Sequence, residues 1–369
     1  MSTSIRAAVL NVAPGQLDLE SLELDAPGPD EVLVGIVNAG LCHSDLHEID
    51  GTFETEPPIL LGHEAAGIVE MVGENVRDVN VGDHVVSCLS VFCGQCRYCT
   101  SGRLSLCIHR NELSHSRSRP RLLNGAGVAV RPTAGIGAFA EAMTVHHNAL
   151  AVIPDDVPFA TASILGCAVT TGLGAVFRSA RVRAGSTVAV IGTGGVGMMA
   201  IQGARIAGAS RIIAIDVVPA KLEAARRFGA TDVIDARDAD PVEIVHDLTG
   251  GGVDYSFEAV GRAATAGQAF SMLAPAGVAT VIGMIPDSTP IEVRGSELFL
   301  QEKTLQGSFM GSNQFKVDIP RYVELYRQGR LMLDEMVSEQ LDLVDINKGF
   351  DILKAGAAAR VVVGMGTRR

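Results

Sequence analysis

The seven cysteines of this 369-residue chain fall into two groups, and their spacing separates the chemistry each can serve. Cys93, Cys96, Cys99 and Cys107 follow the pattern C-x2-C-x2-C-x7-C, which gathers four thiolates on one short lobe. That is the donor set of a closed tetrahedral zinc site, and four protein ligands leave no coordination position for a substrate. An iron–sulfur cluster also takes four thiolates, but its usual run has a shorter last spacing followed by Pro, and here Ile108 follows Cys107. Left unligated, thiols so placed would be an oxidation hazard.

Of the other three, Cys42 stands before His43, Ser44 and Asp45, and Cys167 follows Gly166, with Gly62-His63-Glu64 between them in sequence. As a ligand set, Cys42, His63 and Cys167 would supply two thiolates and one imidazole and keep a fourth position open for water or substrate. Spacing alone does not join residues this far apart. Taken singly, each also reads as a buried Cys or a core His held by hydrogen bonds, and Cys88, inside an apolar strand, keeps that reading.

A second kind of chemistry is written between Thr187 and Asp216. A β-branched run at Thr187–Ile191 leads directly into Gly192-x-Gly194-x-x-Gly197, with Gly195 and Val196 inside the turn, and an apolar helical segment follows to about Gly208. The first glycine suits a tight turn, the second a close approach to a pyrophosphate, and the third close packing of helix on strand. Free amides and the helix dipole then face the anion. The next strand ends at Asp216, about 20 residues on, where a carboxylate can accept from both hydroxyls of an adenosine ribose. An ordinary strand-to-helix turn, with Asp216 capping the helix near Pro219, is the alternative.

These residues need two kinds of scaffold. Up to about Pro154 the chain reads as short strands broken by Gly, Pro, Asn and Asp, for example at 32–37, 67–72, 84–89 and 139–145, an irregular and mostly β domain. After Phe159 strands and helices alternate, the signature of a parallel sheet covered on both faces. Strands at 187–191, 211–215, 232–234, 255–257, 278–282 and 304–307, with helices at 221–228 and 241–248, make up two mononucleotide halves. The tail carries a helix at 321–328 and a last strand at 360–363, and is expected to return to the first domain. Length permits about two domains. With 47% hydrophobic and 20% charged residues the composition is globular, with no apolar run long enough for a membrane span and no signal peptide at the start. A formal charge of −12 argues against a nucleic-acid surface, and the basic cluster Arg117, Arg119 and Arg121 reads as a solvated loop. The cytoplasm is therefore the expected location, and there seven cysteines suggest metal or catalysis before disulfides.

Taken together, GLCHSD at 40–45, GHExxG at 62–67, the four-cysteine lobe, GCxxxTG at 166–172 and GTGGVG at 192–197 resemble the zinc-dependent medium-chain alcohol dehydrogenases, in that family's order and over essentially the whole chain. The resemblance implies an α/β fold: a Rossmann doubly wound parallel sheet at 169–309, plus an irregular, mostly β, GroES-like catalytic domain at 1–168 and 310–369. It implies NAD and two zinc ions per chain, the catalytic zinc on Cys42, His63 and Cys167 and the structural one on Cys93, Cys96, Cys99 and Cys107. The two-thiolate, one-imidazole set is the family's own, carried over with the likeness. Glu64 matches the acid beside the metal, Asp45 the carboxylate that orients the ligating His63, and Ser44 and His47 the proton relay. Thr171 and Val196 match positions at the nicotinamide, Lys221 one at the adenosine end, and His43 and Arg360 pyrophosphate contacts, His43 standing where many members carry Arg.

The same resemblance implies reversible oxidation of an alcohol to an aldehyde or ketone, with Leu89 and Phe139 as apolar substrate walls. Arg110 lies near where a long-chain branch that oxidises a thiol adduct of formaldehyde keeps a thiol-binding Arg, whereas His47 favours ordinary alcohols. A nucleotide-binding zinc protein without activity is the reading from another class. A homodimer is expected, paired through an edge at 296–305.

Overall fold

Strand Glu31–Gly40 is the spine of the first structural unit. It pairs antiparallel with Glu64–Val72 on one side, Arg360–Gly364 on another and Ala142–His146 along its first half. Leu150–Ile153, His84–Ser87 and Val337–Asp342 complete a seven-stranded sheet, beside which Thr3–Leu10 and Leu17–Leu24 anchor a sheet of five. Alternation along these strands buries one aliphatic core that includes Val32, Val34, Leu60, Val85, Leu150 and Val361.

The second unit holds six parallel strands in the spatial order Asp232–Asp235, Arg211–Asp216, Thr187–Ile191, Val253–Glu258, Leu273–Val281, Thr304–Gly307. This is the 3-2-1-4-5-6 order of a dinucleotide-binding sheet. Near-continuous apolar strands such as Val188–Val190 and Ile212–Ile215 are what burial on both faces requires.

In this computed structural model, residues 2–115, 119–237, 239–356 and 358–366 are described. The units are Met1–Cys167 with Gln314–Arg327 and Leu333–Arg369, and Ala168–Asn313 with Gln328–Met332. The return expected at 310 therefore falls at 314. Residues 308–312 stay with the second unit because the Ser308 and Ser312 hydroxyls bond Ser179 at 2.7 and 3.0 Å, and Thr171 Oγ1 meets Met310 Sδ at 3.5 Å. The chain rejoins that unit at 328–332, where Met332 bonds Gln202 through both its amide and its carbonyl.

Three local expectations change. The segment expected as an edge strand from 296 is a short helix, Gly295–Leu300, and only Thr304–Gly307 forms the edge. The tail helix begins at Phe315, not 321, and carries Pro320 within it. Arg121 is not in a solvated loop. It is buried, with its Nε and Nη2 donating to Glu31 Oε1 at 3.1 and 2.6 Å. Arg119 is exposed, and Arg117 lies outside the described residues.

Candidate functional site

Cys42 follows just after the spine strand's end at Gly40 and caps the start of the helix His43–Ile49. Its extended backbone, φ −116° and ψ 151°, turns the chain, and Asp45 caps the helix by accepting from Cys42 N at 3.2 Å. The other Asp45 oxygen accepts from Gly62 N at 3.1 Å and lies 3.3 Å from His63 Nδ1. Asp45 thus ties two ligand-bearing segments together with one buried carboxylate. The strand register sets Gly40 opposite Glu64, and Ser87 fixes the backbone around His63 by accepting from Ala65 N and donating to the His63 carbonyl. Cys167 comes in over Gly166, where a Cβ would sit 1.7 Å from the Ser87 carbonyl oxygen, so glycine alone permits that approach.

The outcome is a buried cluster in the first unit in which ligand atoms of Cys42, His63, Glu64 and Cys167 all lie within 4.8 Å of one another. With Nδ1 turned to Asp45, His63 Nε2 is buried and has no hydrogen-bond partner. An orphaned ring nitrogen beside two thiols fits a metal, and Asp45 is the outer carboxylate that a ligating His uses to hold its tautomer. Cys42 is held well below the ordinary thiol range, first by the hydrogen bond from Cys167, whose own thiol that bond pushes up. Burial pushes Glu64 up to about 7 despite the opposing pull of Arg360.

Arg360 enters this cluster from its strand. It is buried, with Nη2 3.6 Å from Glu64 Oε1 and Nη1 donating to the Leu41 carbonyl at 3.3 Å. Burial works against its charge, but Glu64, Cys42 and Cys167 more than offset that and push its pKa up. Ser44 and His47 stand one helical turn apart on His43–Ile49, half-buried, while His43 is exposed. His47 Nδ1 is buried without a partner, and the ring packs edge-on to Phe53. Leu89 is partly buried against the core, whereas Phe139 is fully buried, 5.8 Å from the Phe350 ring, and belongs to the core rather than to a substrate wall.

The second cluster sits on the lobe. Cys96 Sγ is 3.5 Å from Cys99 Sγ, and Cys93 Sγ is 3.9 Å from it. Four sulfurs each about 2.3 Å from a tetrahedral zinc lie about 3.8 Å apart, so these separations fit the ion. Amides of Cys93 and Cys96 donate to Cys107 Sγ and Cys93 Sγ, both at 3.3 Å. Backbone donation, first from Cys99, pulls Cys96 down to about 6, while burial pushes Cys99 up to about 12 and Cys107 up as well. Phe92, Tyr98 and Leu104 give the lobe its own small core.

In the second unit, Gly194 caps the helix Gly195–Ala207, and a Cβ there would meet open space. A Cβ on Gly197 would fall 1.8 Å from the Gly192 carbonyl oxygen, so the turn closes this tightly only with glycine at 197. Val196 is half-buried beside them, and Thr171 is buried in the helix Ala168–Gly174. Lys221 lies in the first turn of Pro219–Phe228, a little past Asp216 at the end of its strand. This open, amide-lined turn beside a carboxylate is a cradle that fits a dinucleotide.

Residues 28–155 match the family described as alcohol dehydrogenase GroES-like domain, and residues 195–326 the family described as zinc-binding dehydrogenase. Alcohol dehydrogenase 2 of Zea mays is 36% identical over 371 residues, which cover 98% of this chain and 97% of that one. The chain belongs to the zinc-dependent medium-chain alcohol dehydrogenase family. Two solved structures are similar to this dehydrogenase over nearly their whole length. An alcohol dehydrogenase zinc-binding domain protein from Burkholderia ambifaria is 34% identical with a TM-score of 0.95, covering 100% of both chains. Benzyl alcohol dehydrogenase from Acinetobacter calcoaceticus is 32% identical with a TM-score of 0.91, covering 99% of this chain and 100% of that one. The dehydrogenase is thus an oxidoreductase that works with zinc and a nicotinamide dinucleotide.

What the sequence does not reveal is the company these residues keep. Arg360 faces Glu64 because their strands flank the spine, and Thr193 donates to Asp216 through both its amide and its hydroxyl, at 2.7 and 2.8 Å. Neither pairing has a spacing signal.

Proposed function

We propose that the dehydrogenase transfers hydride reversibly between NAD and an uncharged primary or secondary alcohol, aromatic alcohols included, giving the aldehyde or ketone. The observation that carries this is the cluster of Cys42, His63 and Cys167, in which His63 Nε2 has no protein partner; with the neighbouring Glu64 paired to Arg360 and kept off the metal, these three ligands would leave a fourth position for substrate. Zinc held there supplies Lewis acidity to an alcohol oxygen, and NAD supplies the hydride acceptor. The protein does the rest. Asp45 keeps the proton on His63 Nδ1, so that Nε2 presents its lone pair, and the two thiolates balance the charge of a divalent ion. Oxidation releases one hydride and one proton. The proton leaves from the Ser44 hydroxyl toward His47, on the same face of one helix.

On this reading the turn of Gly192, Gly194, Gly195 and Gly197 receives the pyrophosphate, with His43 and Arg360 as further pyrophosphate contacts. Thr171 and Val196 border the nicotinamide and Lys221 the adenosine end. Asp216 prefers NAD over NADP, because its carboxylate accepts from ribose hydroxyls and repels a 2′-phosphate. The likeness to benzyl alcohol dehydrogenase supports an aromatic substrate. A second reading, oxidation of a thiol adduct of formaldehyde, rests on Arg110 at the start of Arg110–His115. A homodimer would cover Leu298, Phe299 and Leu300, which are 43%, 71% and 73% exposed beside the edge strand. A cytoplasmic setting suits seven free cysteines, and cell fractionation checks it.

One panel tests the reading. Short aliphatic, long aliphatic, terpenoid and benzylic alcohols, and formaldehyde with thiols, are assayed with NAD and with NADP, on protein sized by light scattering. We expect NADH formation with benzylic alcohols, little turnover with NADP, and a dimer. Turnover confined to formaldehyde with a thiol would move the function to the second reading, equal efficiency with NADP would remove the role given to Asp216, and a monomer at micromolar concentration would remove the dimer.

A further inference from the structure

The carboxylate at the end of strand Arg211–Asp216 is already full. Asp216 Oδ1 accepts from Val217 N at 2.8 Å and Val218 N at 3.0 Å. Oδ2 accepts from Thr193 N at 2.7 Å and from Thr193 Oγ1 at 2.8 Å. A carboxylate offers about four lone-pair positions, so its own loops occupy all of them. The four donors are not equivalent. Three are backbone amides fixed by the glycine turn and by the start of helix Pro219–Phe228, while the fourth is a side-chain hydroxyl that one χ1 rotation takes away.

The three amides hold the orientation of Asp216 without help, so the hydroxyl is not needed to aim the carboxylate. What it does is fill acceptor capacity. We propose that Thr193 is a built-in competitor of the adenosine ribose: its hydroxyl holds the position on Asp216 Oδ2 that a ribose hydroxyl takes, which weakens NAD binding and speeds NADH release. This rests on the assignment of Asp216 to the ribose. Thr193 is 1% exposed, so a hydroxyl turned off Asp216 finds little water in exchange for a hydrogen bond to a charged group. Each binding event then carries that loss, and each release recovers it. NADP gains nothing from removing the hydroxyl. A 2′-phosphate meets the Asp216 charge in either case, and that charge is less screened once a donor has gone.

The test is direct titration of the zinc-loaded enzyme with NADH and with NADPH by nucleotide fluorescence, with stopped-flow release rates, for the unmodified protein and Thr193→Val, Thr193→Ala and Thr193→Ser. Val keeps the volume and branching of Thr, Ala guards against misfolding of the Val variant, and Ser keeps the hydroxyl. We expect Thr193→Val and Thr193→Ala to bind NADH about three- to tenfold tighter and release it more slowly, a discounted share of one hydrogen bond to a charged group because water reaches the half-buried Asp216. NADPH binding should not tighten, and Thr193→Ser should match the unmodified protein. A merely structural role for Thr193 would shift both nucleotides alike. If the unmodified protein prefers NADH but folded Thr193→Val and Thr193→Ala bind it no more tightly, the competitor is refuted while the Asp216 assignment stands. If the unmodified protein binds both nucleotides equally, the assignment and the competitor fall together.

Discussion

Asp45 shows how much of this site rests on single side chains. One of its oxygens caps the helix that carries Ser44 and His47, and the other reaches Gly62 and His63, so one buried carboxylate positions both segments. In the proposed proton relay His47 is the outer group. Imidazole accepts and donates protons near neutral pH more readily than other side chains, and His47 Nδ1 has no partner to give up. His47→Gln should slow alcohol oxidation at neutral pH by about tenfold to a hundredfold, within the span of general acid–base effects. An added buffer base should restore part of the loss. An unchanged rate with no response to buffer concentration would show that the proton leaves by another way. At this scale the sequence is uneven. The four-cysteine lobe declares itself because its ligands are close in the chain. Cys42, His63 and Cys167 do not, because only the register of Gly40 with Glu64 and the close packing at Gly166 bring them together. Phe139 could not be told from a pocket residue, since an apolar ring reads the same in a core and in a wall.

Between elements, the informative feature is the ion pair of Arg121 with Glu31. Glu31 opens the spine strand, takes Gly28 N on Oε2 and Arg121 on Oε1, and both side chains are under 10% exposed. Breaking a buried pair strands one charge, so Arg121→Met should lower stability by about 3–5 kcal/mol, and Glu31→Leu with Arg121→Met should recover part of it. Thermal and urea unfolding would check both. A midpoint no different from the unmodified protein would show that water reaches the pair. Sequence context hid this link, because Arg121 sits two residues from an exposed Arg119 and ninety from its partner. Strands were legible wherever β-branched residues ran together, as at Thr187–Ile191. The segment at 296–300 misled because an apolar run this short has no period to tell helix from strand. The tail helix starts ahead of Pro320, at Phe315, because the Asp318 carboxylate accepts from Gln314 N there.

Across the whole molecule the chain separates its tasks. One unit carries both metal clusters, and the other carries the glycine turn with Asp216. The alternation of strand and helix after Phe159 announced the second unit, while the irregular strands of the first showed only that it was mostly β. Its closure by a strand more than 300 residues away, Arg360–Gly364 on Glu31–Gly40, has no local signature. In the proposed function the cluster of Cys42, His63 and Cys167 performs the chemistry and the four-cysteine lobe does not. Zinc content and alcohol-dependent NADH formation, measured on the same sample of His63→Ala, decide this. Zinc should fall from about two ions per chain to about one, with turnover lost and NADH binding kept, because the closed lobe keeps its four ligands. A His63→Ala protein that still oxidises alcohol, or that loses no zinc, would contradict it.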